Sequence, residues 1–234
     1  MKRHFFACTL ALIATSLAAC EQRSSERAPV VVELYTSEGC DSCPPADRWL
    51  STLKGRADVV ALSFHVDYWD RLGWTDRFAS PAFTERQYRQ RASSGTPFAY
   101  TPQVLVGGAD WRRWPKDALP LPAASVVDLV LRRDGNRVVA HVTPRPGAPE
   151  RLAAYWAVVE DDHVSAVKAG ENAGATLRHD HVVRTYREVP AWQAAAGAQT
   201  LVFDAPAAAP GRRVVLVVID ALRQRSLQAL PLAC

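Results

Sequence analysis

Val30 to Tyr35 (VVVELY) is a run of β-branched and aromatic residues that leads, across Gly39, straight into Cys40-Asp41-Ser42-Cys43-Pro44-Pro45. Such a run reads as a buried strand. Two prolines can open a helix because first-turn amides need no intrahelical partner. The helix shows an apolar face of Ala46, Trp49, Leu50 and Leu53, with Asp47, Arg48 and Lys54 expected outward. Val59 to Phe64 is a second apolar run, so strand, helix and parallel strand are expected to join by a right-handed crossover. The C-x-x-C pair then sits at the strand-to-helix turn.

Thiol exchange needs one sulfur to attack and a second close by to resolve the mixed disulfide. Cys40, just outside the helix, is the expected attacker, since amide ends and macrodipole favour its thiolate; Cys43 is the expected resolving thiol. Asp41 opposes this by adding negative charge. Two other readings stay open: a structural disulfide, or a soft-metal site such as Cu(I) on both thiolates and His65. No second C-x-x-C completes a zinc site, no glycine-rich dinucleotide fingerprint is present, and no cofactor or metal is assigned.

The start of the chain bears on compartment. Lys2, Arg3 and His4 precede an apolar run from Phe5 to Leu17, closed by Leu17-Ala18-Ala19-Cys20. That pattern predicts a lipoprotein signal peptide over residues 1–19, with Cys20 lipidated and residues 20–29 a polar tether. Glu21 is not the aspartate associated with inner-membrane retention, so a periplasm-facing lipoprotein of the outer membrane is expected. Of five cysteines, Cys40, Cys43 and Cys234 would then remain as thiols, with Cys40 and Cys43 the pair and Cys234 left over. Without Lys2 and Arg3 the basic residues fall from 28 to 26 against 24 acidic ones. So small an excess gives no case for nucleic acid.

Downstream, Ser80-Pro81 reads as a cap and first-turn proline of a helix to about Arg91, and Gln103 to Val106 as a strand ending at Gly107-Gly108. The proline-rich stretch from Trp114 to Ala124 marks a boundary near residue 120. Beyond it come strands at Val126–Arg132, Arg137–Thr143, Leu152–Val159, His163–Lys168, His181–Val189, Gln199–Phe203 and Arg213–Ile219. They suggest an antiparallel β-sandwich over residues 121–234. His179 and His181 read as a solvated hairpin flank, with metal on one strand face as the alternative. His65 and Asp67 would share a face if their strand persists, placing them to move protons or orient a substrate. Glu33, an acid in a buried strand, is a candidate acceptor for the Cys43 proton.

Val32 to Asp47, His65-Val66-Asp67-Tyr68-Trp69-Asp70, Tyr100-Thr101-Pro102-Gln103 and Gly170-Glu171-Asn172 together resemble a family of secreted bacterial proteins catalogued only as a domain of unknown function (family 1223). The resemblance covers essentially the whole chain after the signal. It implies an α/β thioredoxin-like N-terminal domain over residues 30–120, followed by the all-β C-terminal domain over 121–234. It also implies a cis bond at Thr101-Pro102, facing the dithiol and shaping a substrate groove. Ordinary thioredoxins carry a tryptophan where Gly39 stands. The expected function is a thiol-disulfide oxidoreductase acting on periplasmic protein thiols or disulfides. The alternative is a lipid-anchored binding module for a soft metal or an envelope protein.

Overall fold

The computed structural model describes residues 20–234; the signal-peptide reading falls on 1–19, outside them. The chain begins with β1 (Cys20–Arg23), β2 (Arg27–Ala28), β3 (Val30–Thr36), α1 (Pro44–Ser51) and β4 (Val59–His65). Next come α2 (Pro81–Ser94), β5 (Gln103–Val106), β6 (Ala109–Asp110) and β7 (Ala123–Ala124). Then follow β8 (Val127–Asp134), β9 (Arg137–Pro144), β10 (Arg151–Glu160), β11 (His163–Ala166) and β12 (Thr176–His179). The last strands are β13 (Val182–Gln193), β14 (Gln199–Asp204), β15 (Arg212–Asp220) and β16 (Ser226–Leu232).

One mixed sheet of eight strands, in the order β16-β15-β10-β13-β4-β3-β5-β6, forms the spine. β3 and β4 are parallel, as the crossover predicts, while β5 runs antiparallel to β3. β13 lies parallel to β4 through the Val182–Ser63 pair, and the Ser63 amide donates to the His181 carbonyl at 2.7 Å. β10 is antiparallel to both β13 and β15. A second sheet, β1-β8-β9-β14, is entirely antiparallel.

Burial explains the layering. β3, β4 and the middle of β10 and β15 are buried at every position, so both faces of the large sheet need cover. α1 covers one face at the β3-β4-β5 end, through Ala46, Leu50 and Leu53 against Val32, Leu34 and Ala61. On that same face, the small sheet covers the β10-β15-β16 end, with Leu129, Leu131 and Val142 against Trp156, Leu216 and Leu230. The opposite face carries Tyr35, Phe64, Tyr155 and Val217, with Phe83 of α2 packed on them. β8 alternates buried and less buried residues, the pattern of a strand with one covered face.

This topology corrects the expected fold class. The chain is predominantly β, and it is not an α/β thioredoxin-like domain followed by a separate all-β domain. Strands from either side of residue 120 share one continuous sheet. The physical reason lies in β4, whose second edge is paired by β13, and in a single apolar cluster that runs from Val31 through Tyr155 to Ala229. The 20–29 segment, expected as a tether, is paired too: β1 lines up with β8 and β2 with β7.

Candidate active site

Cys40 and Cys43 are joined as a disulfide, with Cα atoms 5.4 Å apart. Cys43 is the N-cap residue of α1, and its carbonyl accepts from the amides of Ala46 (2.9 Å) and Asp47 (3.2 Å). The Pro44-Pro45 opening therefore fixes the turn as the sequence predicts. Both cysteines are 0% exposed in this disulfide-bonded state.

Several neighbours hold this turn. The Thr101 hydroxyl lies 3.3 Å from Cys40 Sγ, and the Thr101-Pro102 bond is cis. Trp69 Nε1 donates to Thr101 Oγ1 at 2.8 Å, while Ser42 Oγ is 3.4 Å from Cys40 Sγ. From the far side of the sequence, Asn172 Nδ2 donates to the carbonyls of Glu38 and Cys40, both at 2.9 Å. Glu171 accepts from the Asp41 amide at 3.1 Å. A Cβ at Gly39 would stand 3.0 Å from Trp69 Cβ, tighter than ordinary contact, so glycine suits this position.

Behind the disulfide lies a buried polar cluster. His65 and Thr36 are register partners on β4 and β3, on the face that α1 covers. Asp47 is buried rather than outward, correcting the sequence reading, and its Oδ2 accepts from Thr36 Oγ1 at 3.1 Å. His65 Nδ1 lies 2.6 Å from Asp76 Oδ2, and Asp76 also accepts from the amides of Glu38 and Phe78. His179, at the end of β12, has Nε2 3.3 Å from Glu38 Oε1 and Nδ1 4.0 Å from Asp47 Oδ1. Trp74 Nε1 donates to Glu38 Oε2 at 2.7 Å.

Burial and partners set the charge states. Asp76 is pulled down to about 2: burial acts against ionisation, but the His65 imidazole and two backbone amides outweigh it. His65 moves upward, because Asp76 and the Asp47 and Glu38 charges overcome the cost of burying an imidazolium. Burial raises Asp47 beyond what His179, His65 and Thr36 restore. Glu38 sits below its ordinary value, the His179 and Trp74 contacts outweighing burial.

The remaining expected site residues fall elsewhere. Glu33 faces the α2 side of the sheet, where Arg86 Nη2 donates to it at 2.6 Å and the Tyr155 hydroxyl also bonds it. It is therefore not brought to Cys43. Asp67 follows the end of β4 and accepts from Thr84 Oγ1 at 2.6 Å, which ties it to α2 instead of to His65. His179 and His181 part company as well: both are buried, not solvated, and His181 pairs with Arg213 at 2.7 Å. Cys234 is not left over, because it forms a disulfide with Cys20, Cα atoms 6.0 Å apart. A thioether to lipid would use the same Cys20 sulfur, so that bond and lipidation exclude one another.

Asp47, Asp76, Glu38 and Asn172 are not singled out by the sequence, whereas His179 is offered by it only as a metal alternative alongside His181. Asp47 carried a readable signal, since a residue four after Cys43 returns to the same helix face. Asn172 lies 129 positions after Cys43, so nothing local in the sequence links it to the cystine turn.

Residues 31–219 match the family described as Protein of unknown function (DUF1223). An X-ray crystal structure of a structural-genomics target protein from Agrobacterium tumefaciens is similar, with TM-score 0.66 and 26% sequence identity. The match covers 90% of this chain and 96% of that one. No curated protein matches. The matched stretch takes in the cystine turn, the buried histidines and the Asn172 clamp, and on it the chain belongs to the DUF1223 family of proteins of unknown function.

Proposed function

We propose that the chain is an exported thiol-disulfide oxidoreductase working through Cys40 and Cys43. The observation that carries this reading is the Cys40–Cys43 disulfide at the head of α1, with the Thr101 hydroxyl 3.3 Å from Cys40 Sγ. The positive end of a helix dipole favours the thiolate of a sulfur beside it, and a second thiol three residues on can resolve a mixed disulfide. Two disulfides in one chain are compatible with an oxidising compartment outside the cytosol.

In the oxidising direction, a partner protein's thiolate attacks Cys40 Sγ. The Cys40–Cys43 bond breaks and Cys43 leaves as the thiolate. A second partner thiol then attacks the partner's own sulfur in the mixed disulfide, releasing Cys40. The partner becomes disulfide-bonded and the chain holds the two electrons as a dithiol; reduction of a partner is the reverse. The Asp47 amide donates to the Cys43 carbonyl at 3.2 Å, whereas Glu33 is bound by Arg86 on the opposite face of the sheet.

The test is turnover of a dithiol or disulfide model peptide. Cys40→Ser is expected to abolish exchange, and Cys43→Ser to trap a mixed disulfide with the peptide. A Cys40→Ser protein that still turns over at the normal rate would refute the proposal.

A further inference from the structure

We infer that Asp47, His65 and His179 form a binding site for one divalent first-row transition metal, with zinc as the reference ion. The inference goes beyond the dithiol reading and uses neither cysteine. One ligand atom from each residue lies within 4.8 Å of the others, and all three residues are buried, at 6%, 0% and 2% exposure.

The second observation concerns unmet hydrogen-bonding capacity. His65 Nε2 and both ring nitrogens of His179 are buried without a hydrogen-bond partner. Buried polar atoms ordinarily have partners, since each orphan costs about 1–3 kcal/mol. Two of these, His65 Nε2 and His179 Nδ1, are the nitrogens that a cation would take, and ligation accounts for them better than packing does. Two imidazoles and one carboxylate are a donor set that suits zinc and its neighbours, and three protein ligands leave a further position open.

The surrounding shell fits the same reading. A metal-binding histidine usually donates its other nitrogen to a carboxylate, which fixes the tautomer and turns the free nitrogen toward the ion. His65 does this through Nδ1 and Asp76, leaving Nε2 free. His179 Nε2 lies 3.3 Å from Glu38 Oε1, within ion-pair range though not aligned as a hydrogen bond, which leaves Nδ1 on the Asp47 side. Glu38, Asp47 and Asp76 also place three carboxylates in one buried cluster, whose charge a dication would offset. A cleft of about 140 Å³ between α1 and β12 is lined by Asp47 and His179 together with Arg48 and Arg178, so it borders two of the three ligands.

The experiment titrates chelator-stripped, oxidised protein with Zn²⁺ by calorimetry and with Co²⁺ by absorption. The expected result is one ion per chain. His179→Ala and Asp47→Asn should each weaken binding at least about 100-fold, and Asp76→Asn by roughly 10–100-fold. Thermal melts of each variant separate lost ligation from lost fold, and Asp47→Asn serves where the histidine variant does not fold. A protein with Cys40→Ser and Cys43→Ser should bind as wild type does, so failure of the redox proposal leaves this one standing and the reverse. No saturable uptake of either ion, equal affinity in the folded ligand variants, or a thiolate-to-cobalt charge-transfer band in reduced protein would overturn the assignment.

Discussion

His181 has φ 59°, in the left-handed region, and its ring is closed in by Arg213, whose Nη2 donates to Nδ1 at 2.7 Å. Burial and then the Arg213 charge pull its pKa down to about 4. The unfolded chain holds the proton up to about pH 6.5, so it binds more protons than the folded chain between there and 4. Stability is therefore complete above about pH 6.5 and falls as the pH drops toward 4, by on the order of 3 kcal/mol. Asparagine accepts from Arg213 and tolerates that backbone. His181→Asn should thus unfold with a shallower acid slope than wild type in denaturant titrations at pH 4 and 7. An unchanged slope would contradict this account. At this scale the sequence was most legible for Cys40 and Cys43, whose pairing follows from their spacing. It misled at His179 and His181, because alternation implies a shared strand face only while the strand continues. Here β12 ends at His179 and β13 begins at Val182, so the two rings enter different environments.

Among the elements, α2 is legible from its caps, since Ser80 Oγ accepts from the Ala82 amide at 3.3 Å and Gly95 closes it at φ 87°. What its sequence conceals is Arg86. This buried side chain bonds Glu33 on β3 and the Tyr186 hydroxyl on β13, and it lies 4.3 Å from the centre of the Tyr155 ring on β10. α2 thereby fastens together strands from both halves of the chain. Arg86→Met should cost about 3–5 kcal/mol, because it strands Glu33 as a buried carboxylate without its counter-charge. Adding Glu33→Gln should recover a substantial part of that loss in denaturant melts. Additive losses in the double variant would show that packing, not charge, holds the contact. β1, β2, β12 and β16 were not read from the sequence. They are short, or they are edge strands whose pairing is set by partners distant in the chain rather than by their own pattern.

Across the whole molecule, the two-part reading was reasonable from composition and wrong in topology. Periodicity records which faces are covered, but not which strand pairs the far edge of β4. Because β13 fills that edge and the apolar cluster crosses it, residues 30–120 produced alone should give the circular dichroism of an unfolded chain. A folded, cooperative 30–120 would contradict this. The Cys20–Cys234 bond spans 214 positions, and on chain-entropy grounds its closure is worth about 5 kcal/mol. Intact-mass and peptide mapping should find that pair linked; an acylated Cys20 would exclude it. The complete burial of the other disulfide has a kinetic consequence. A reductant meets those sulfurs only during a transient opening of the Thr101, Trp69 and Asn172 contacts around the turn. Cleavage then obeys gated kinetics: the rate climbs with reductant at first, and levels off at the opening frequency once capture outpaces closure. Stopped-flow reduction across a wide dithiothreitol range should display that plateau, and a strictly linear dependence with no ceiling would mean the sulfurs are met directly.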